Sequence, residues 1–199
     1  MKPSSTPTIR ATDALVIVDV QNDFLPDGAL AAPEGDQIIA PLNRVAAAFA
    51  EAGQPVLATR DWHPPDHCSF RPRGGIWPAH CVAGTYGAKF ASSLRLPASV
   101  TLISKAHESN RDAYSGFDGT ELNAHLCDMR IQRIYVGGLA TDYCVVSTVR
   151  DALRLGFTVV VLEDCMRAVN VNAGDGARAE DEMRTLGAIT IQSTMLESV

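Results

Sequence analysis

The chain has 199 residues, of which 46% are hydrophobic and 20% are charged. This length suffices for one well-buried domain spanning residues 1–199, and no Pro/Ser-rich linker or block of charge marks an internal boundary. The formal net charge of −6 comes from scattered acidic residues, without a stripe of Lys and Arg that could neutralise phosphates. Composition and charge therefore argue against nucleic-acid binding and favour a small-molecule substrate.

The N-terminal residues 1–12 are polar and contain two prolines, so we expect a loose segment there and no signal peptide. No apolar run approaches the roughly 18 residues that a membrane span requires. Five cysteines occur without a C-x-x-C pair, which argues against a disulfide framework. These features predict a cytoplasmic protein without a membrane partner, in which most cysteines are reduced.

Short apolar runs alternate with helical patterns along the chain. Runs typical of buried strands cover residues 14–18, 55–59, 100–104, 134–136, 157–162 and 188–191. Helical patterns cover residues 38–49, 122–129, 145–155 and 177–186. This alternation predicts an α/β fold with a single parallel β-sheet of about six strands and helices on both faces.

Ligands of such sheets bind beyond the carboxyl ends of the strands. Reactive side chains follow four of the predicted strands, namely Asp19 after the first, Asp61 and His63 after the second, Lys105 after the third and Cys144 after the fourth. We therefore expect these side chains to meet at one edge of the sheet. Residues 60–90 are rich in Pro and Gly and lack periodicity, which predicts a long functional loop over that edge.

Cys144 is the candidate nucleophile. The fourth predicted strand is expected to break at the paired glycines Gly137 and Gly138, and a helical pattern begins directly after Cys144. We therefore expect its thiol at a helix N-terminus, where the helix dipole favours the thiolate. Asp19 could take the thiol proton, and Lys105 could hold both charges in place. Taken singly, each has a simpler explanation, as a turn cap, a solvated charge or a small buried residue. Their joint occurrence at strand ends favours catalysis.

A second group of reactive side chains follows the second predicted strand. Asp61 and His63 are two residues apart on an extended segment and point the same way, and His80 can return on the loop as a third ligand. Two imidazoles and one carboxylate leave coordination positions open and suit Zn²⁺, Fe²⁺ or Mn²⁺. We expect one divalent metal ion, by preference Zn²⁺, with His67 either as a further ligand or as a hydrogen-bond partner of a ligand.

Aromatic residues flank both groups and could sandwich a flat ring. For Phe24, Trp77 and Tyr114 we favour a role in substrate binding, and for Trp62 we favour ordinary packing.

Several motifs together carry a family resemblance. They are V-D-V-Q-N-D-F from Val18, T-R-D-W-H-P-P-D-H from Thr59, W-P-A-H-C-V from Trp77, the single residue Lys105, Y-S-G-F from Tyr114 and G-L-A-T-D-Y-C-V from Gly138. In this order, and over nearly the whole chain, they resemble the nicotinamidases (pyrazinamidases) of the isochorismatase-like cysteine hydrolases.

The resemblance implies an enzyme of NAD salvage that converts nicotinamide into nicotinic acid and ammonia through a cysteine thioester, and that also accepts pyrazinamide. It implies a catalytic triad of Asp19, Lys105 and Cys144, and an oxyanion hole from the backbone N–H groups of Ala140 and Cys144. It further implies a cis peptide bond between Leu139 and Ala140. The implied metal ligands are Asp61, His63 and His80, with His67 a ligand in some members, and the metal binds the pyridine nitrogen.

Four other functions are weighed against this one. Within the hydrolases, the close rivals are relatives that act on other small amides and the isochorismatases, and the isochorismatases commonly lack the cysteine and the metal motif. Two histidines and one carboxylate are also the ligands of non-haem iron oxygenases, although those enzymes usually have antiparallel β scaffolds. A binding module without catalysis would leave Cys144 and Lys105 without a role. The sequence does not decide the assembly state, and a homo-oligomer is compatible with it.

Overall fold

The computed structural model describes residues 8–196. Its centre is one six-stranded β-sheet in which every neighbouring pair of strands is parallel. The strands are β1 (Asp13–Val18), β2 (Val56–Asp61), β3 (Thr101–Lys105), β4 (Arg133–Leu139), β5 (Thr158–Arg167) and β6 (Ile189–Ile191). The helices are α1 (Ile39–Glu51), α2 (Leu122–Asp128), α3 (Val146–Arg154) and α4 (Asp175–Thr185). The predicted α/β fold is therefore confirmed.

The central strands are buried on both faces, because helices and loops cover the sheet on each side. In β1, Leu15 and Ile17 face a core shared with α1, whereas Val16 and Val18 face a core shared with α2, α3 and α4. This explains why the sequence of β1 reads as a continuous apolar run and not as an alternating one. Among residues 8–196, no helix has the length and apolar character needed to span a membrane.

The strand order β3-β2-β1-β4-β5-β6 creates a switch point in the sheet. The chain first builds outward from β1 to β2 and β3, and it then crosses to the opposite side of β1 to form β4. Beyond the carboxyl ends of β1 and β4 the following segments diverge and leave a crevice, which is where ligands bind in folds of this type. Asp19 follows β1 and Ala140 follows β4, so both residues lie at this crevice.

The paired glycines do not end the fourth strand as the sequence suggested. β4 continues through Gly137 and Gly138 to Leu139, and Gly138 pairs with Val18 of β1. A Cβ atom on Gly138 would lie 2.0 Å from the carbonyl oxygen of Val18, and the φ angle there is +135°. The glycine thus permits a close approach between two strands, and the prediction of a strand break was wrong.

A wide helical turn separates β4 from α3. It spans Thr141–Val145, and the N–H groups of Tyr143 and Val145 both donate to the carbonyl of Ala140, each at 3.1 Å. The peptide bond between Leu139 and Ala140 is cis, as the resemblance implies. Cys144 therefore lies in this turn, before the first residue of α3, and not inside the helix.

The long connection between β2 and β3 contains only one short 3-10 turn, at Arg71–Arg73, which agrees with the loop predicted there. Two backbone hydrogen bonds hold residues 81–83 of this loop next to its beginning. The N–H of His63 donates to the carbonyl of Cys81 at 3.1 Å, and the N–H of Ala83 donates to the carbonyl of His63 at 2.8 Å. His80 is thereby placed next to His63. At the N-terminus, part of the segment predicted to be loose lies outside the described residues, and within the described part Ile9 is buried in the core.

Candidate active site

Lys105, the last residue of β3, connects the candidate catalytic residues. Its Nζ lies 3.0 Å from Asp19 Oδ2 and 3.4 Å from Cys144 Sγ. The same ammonium donates to the carbonyl of Ala113 at 3.2 Å and pairs with Oδ1 of Asp61. Asp19, Lys105 and Cys144 are all buried. The structure thus brings the three residues of the predicted triad together at the switch point.

Burial and charge act in opposite directions on this cluster. Burial raises the pKa of the Cys144 thiol well above its ordinary value, and the nearby Lys105 ammonium opposes this only in part. Burial likewise raises the pKa of Asp19, against the influence of Lys105. Burial therefore favours the thiol form of Cys144, and it acts against the influence of the helix terminus, which favours the thiolate. Burial alone would lower the pKa of Lys105, but Asp19 and Asp61 outweigh it and raise that pKa.

Asp19 presents one carboxylate oxygen that lacks a hydrogen bond. Its Oδ1 accepts a hydrogen bond of 2.6 Å from the hydroxyl of Thr59. Its buried Oδ2 lacks a hydrogen-bond donor among the described residues and has the Lys105 ammonium as an ion-pair partner at 3.0 Å. The carboxylate and the Cys144 sulfur lie within 4.8 Å of each other. A buried carboxylate oxygen with an open acceptor position beside a thiol is suited to take the thiol proton.

Asp61, His63 and His80 form a buried group whose candidate ligand atoms all lie within 4.8 Å of one another. Nδ1 of His63 lies 3.1 Å from the carbonyl of Ala106, and Nδ1 of His80 lies 2.9 Å from the carbonyl of Pro78. A carbonyl only accepts, so Nδ1 carries the hydrogen in both rings and each Nε2 keeps a free lone pair. This is the tautomer that a metal ligand requires.

The electrostatics of this group also fit a cation. Burial would raise the pKa of Asp61, but Lys105 and His63 outweigh it, and the pKa lies below its ordinary value. Burial lowers the pKa of His80, which keeps its imidazole neutral. Oδ2 of Asp61 lies 3.7 Å from Nε2 of His63, too far for a hydrogen bond but compatible with two ligands placed about 2.0 to 2.2 Å from one zinc ion.

His67 lies beside this group but is not part of it. Its Nε2 lies 3.0 Å from the carbonyl of Arg111, and its Nδ1 lies 2.8 Å from the hydroxyl of Ser69. Burial lowers its pKa, so the ring is neutral. Both nitrogens therefore have protein partners in this structure.

The cavity above Cys144 contains the predicted aromatic residues. Its lining residues are Phe24, Leu30, Asp61, Trp77, His80, Tyr114, Ala140, Tyr143 and Cys144. The indole N–H of Trp77 donates to the hydroxyl of Tyr114 at 2.9 Å, and burial raises the pKa of Tyr114 to about 12, so it stays a phenol. Trp62 packs under the guanidinium of Arg60 instead, in agreement with the packing role favoured for it.

Sequence reasoning missed Tyr143 and Leu30, which also line the cavity. The ring of Tyr143 meets Trp77 edge-on, with centroids 4.9 Å apart, and lies 5.6 Å from Tyr114. Phe70 was also missed. Its ring packs against the rings of His63, His67 and His80. The adjacency of Tyr143 to Cys144 was the only sequence signal that could have found any of these residues.

Two polar residues that were not singled out hold the site in place. Gln21 is fully buried, and both ends of its side-chain amide bond to the backbone of Asp61, each at 2.8 Å. The Asp23 carboxylate accepts the N–H of Cys81 at 2.7 Å and so fixes the chain next to His80. Both residues stand in the same motif as Asp19, which was a usable signal. Their long-range partners were not visible in the sequence.

An ammonium in contact with both a buried cysteine and a buried carboxylate is the arrangement expected of a hydrolase with a cysteine nucleophile. The model of the isochorismatase domain family matches residues 13–194. The chain belongs to the isochorismatase family.

Within this family, the chain is similar to several proteins of known activity. It is 39% identical over 196 residues to a nicotinamidase of Escherichia coli, an alignment that covers 88% of this chain and 92% of that protein. A crystal structure of the pyrazinamidase of Pyrococcus horikoshii in complex with zinc superposes with a TM-score of 0.87 at 46% identity, covering 91% of this chain and 99% of the other. PnC1 of L. infantum in complex with nicotinate gives a TM-score of 0.88 at 34% identity, covering 96% and 98%.

Proposed function

We propose that this protein is a nicotinamidase, which hydrolyses nicotinamide to nicotinic acid and ammonia and also accepts pyrazinamide. The observation that carries the proposal is the open oxygen of Asp19 beside the Cys144 thiol, at the floor of a narrow cavity with aromatic walls. A flat heteroaromatic amide fits such a cavity, whereas bulky or non-planar amides do not.

The first half of the reaction forms a thioester. Asp19 takes the proton of the thiol as the sulfur of Cys144 attacks the amide carbon. The backbone N–H groups of Ala140 and Cys144 are the proposed donors to the oxygen that becomes negative. When the carbon–nitrogen bond breaks, Asp19 gives its proton to the leaving nitrogen, which departs as ammonia.

The second half releases the acid. A water molecule gives a proton to Asp19 as its oxygen attacks the thioester carbon. The carbon–sulfur bond breaks and the sulfur regains a proton from Asp19, so the resting thiol is restored. Lys105 stabilises the charge of Asp19 in each step, since its ammonium lies against both the carboxylate and the sulfur.

Asp61, His63 and His80 are the proposed ligands of one divalent metal ion, for which we favour Zn²⁺ over Fe²⁺ and Mn²⁺. A carboxylate and two imidazoles with free Nε2 lone pairs support this assignment. When bound, the ion supplies a Lewis acid that holds a ring nitrogen and so orients the substrate. Phe24, Trp77 and Tyr114 are the proposed contacts of the substrate ring. We propose a role in NAD salvage in the cytoplasm, where a nucleophilic thiol stays reduced.

The test is ammonia release from nicotinamide by the zinc-loaded protein and by Cys144→Ser. Serine should cost at least about a thousandfold in kcat/KM, because an alkoxide is far harder to form than a thiolate. Exchange of the exposed Cys127 for Ser is the matched control and should leave the rate unchanged. A Cys144→Ser enzyme within tenfold of the unaltered one would contradict the assigned nucleophile.

A further inference from the structure

His67 uses both ring nitrogens inside the protein. A carbonyl only accepts hydrogen bonds, so Nε2 carries the hydrogen that points at Arg111, 3.0 Å away. The lone pair of Nδ1 then faces the hydroxyl of Ser69 at 2.8 Å. A metal contact would require the ring to give up one of these two partners, although it has no exposed surface on which to reorient.

The orientation of the ring also disfavours ligation of a shared ion. The rings of His63 and His67 lie with centroids 4.2 Å apart and planes tilted by 31°. The lone pair of an imidazole nitrogen lies in the plane of its ring. Two rings that lie face to face with planes inclined by only 31° direct their lone pairs largely side by side, which disfavours their meeting at one ion close to both rings.

Arg111, whose carbonyl accepts the hydrogen bond from His67, lies in residues 106–114, which we call the Tyr114 segment. It begins with Ala106, whose carbonyl accepts from His63, and ends with Ala113 and Tyr114. Ala113 accepts from the Lys105 ammonium, and Tyr114 lines the cavity. The carbonyl that His67 holds, that of Arg111, lies between these two ends.

We propose that His67 is a positioning residue that ties the metal loop, residues 62–81, to the Tyr114 segment, and that it is not a ligand of the metal ion. The effect of His67 on catalysis rests on the proposed function, whereas its contact with Arg111 does not. Side-chain bonds from His63 to Ala106 and from Trp77 to Tyr114 hold the two ends of the Tyr114 segment. The bonds from Arg73 to Asn110 and from Ser109 to Asp66 lie in exposed positions where water competes. The bond from His67 starts from a buried ring and holds the middle of the segment at Arg111, so together with the bond from Trp77 it sets where Tyr114 stands over the substrate.

The experiment compares His67→Gln with His67→Asn. The amide nitrogen of Gln takes about the place of Nε2 and can still donate to Arg111, whereas the shorter Asn reproduces only the contact with Ser69. Neither amide replaces an imidazole as a zinc ligand. His80→Gln serves as the ligand-loss control, and His125→Gln, at a half-buried position of α2, serves as the neutral control.

Three readouts are measured: zinc bound per chain at equilibrium, hydrogen exchange of the amides of residues 107–114, and kcat and KM for nicotinamide. Both His67 variants should keep one zinc ion, with affinity reduced by less than about tenfold, while His80→Gln loses it. In His67→Asn, the amides of residues 107–114 should exchange faster and KM should rise by about tenfold. In His67→Gln, both the exchange rates and KM should stay within about threefold of those of the original protein.

Two results would overturn the proposal. One is loss of zinc from both His67 variants to the extent seen in His80→Gln, which would make His67 a ligand. The other is equal exchange and equal KM for the Asn and Gln variants, which would remove the tie to Arg111. Zinc content and hydrogen exchange do not depend on the substrate, so they decide the role of His67 even if nicotinamide were not hydrolysed.

Discussion

The ammonium of Lys105 lies 3.0 Å from Oδ2 of Asp19, and neither side chain has any exposed surface. The same ammonium also pairs with Asp61, so one buried cation compensates two buried carboxylates. One of these belongs to the proposed triad and the other to the proposed metal site. The two centres therefore share an electrostatic partner, and the loss of that partner must affect both.

The first prediction concerns Lys105→Met, which keeps the length of the side chain and removes its charge. It leaves two buried carboxylates without a cation and should reduce the free energy of unfolding by about 3 to 5 kcal/mol. Activity should be lost as well. Without the ammonium, Asp19 and Asp61 repel each other, and protonation of one of them relieves this repulsion at the expense of the general base or the metal site. Urea unfolding measures the stability change. Lys89→Met, at an exposed lysine, is the control, and a similar small loss for both variants would show that Lys105 does not carry this charge balance.

The second prediction concerns the acid limb of the pH profile. Burial raises the pKa of Asp19, and a general base must be ionised, so kcat/KM should fall on the acid side at a pH above the ordinary pKa of aspartate and stay flat over a neutral plateau. The hydroxyl of Thr59 donates to this carboxylate at 2.6 Å and lowers that pKa.

Thr59→Val removes the donor, so the acid limb should move up by about one pH unit, the equivalent of a hydrogen bond to a charged group. Thr59→Ser keeps the donor and should leave the limb in place. Profiles of kcat/KM against pH decide the matter. An unmoved limb in Thr59→Val would mean that another group, and not Asp19, controls the acid side.

The third prediction tests why glycines stand at the end of β4. Gly138→Ala places a Cβ atom 2.0 Å from the backbone oxygen of Val18, so it should destabilise the fold by more than about 4 kcal/mol or prevent folding. Gly53→Ala is the matched control, because its φ angle of +68° is also left-handed but no atom lies within 4 Å of the added Cβ. It should cost only about 1 kcal/mol. Equal thermal stability of the two variants would refute the close-approach explanation.

The alternation of apolar runs and helical patterns was sufficient to predict the fold, since strands buried on both faces and amphipathic helices have different periods. The end of β4 was not predictable, because a glycine pair has the same appearance whether it breaks a strand or permits a close approach. The same limit applies to Gln21, whose buried bonds to Asp61 join residues 40 positions apart. Residue types were sufficient to indicate the candidate reactive side chains. The residues that hold these side chains in place could not be predicted, because their contacts join parts of the chain that are distant in sequence.

His67 shows the limit most clearly. Its place among other histidines suggested that it could be a metal ligand. No local pattern indicates that its Nε2 donates instead to the carbonyl of Arg111, 44 residues away. Cys144 is a related case. A position before a helix suggested a thiolate, but burial raises the pKa of its thiol, and Cys144 lies in a core with residues distant in sequence, such as Val18 of β1.

The last prediction concerns the metal and the ring nitrogen of the substrate. If the ion holds that nitrogen, several bonds from the amide, then its removal by a chelator should raise KM for nicotinamide more than it lowers kcat. Among the ring isomers, nicotinamide should be preferred over picolinamide and isonicotinamide by at least about a hundredfold in kcat/KM, because misplacing the reacting atoms by about 1 Å costs that much. Benzamide has no ring nitrogen and is the control, since its rate should be low with or without zinc. Comparable efficiencies for the three isomers in the zinc-loaded enzyme would show that the metal does not orient the ring, and the protein would then be a hydrolase of small amides in general.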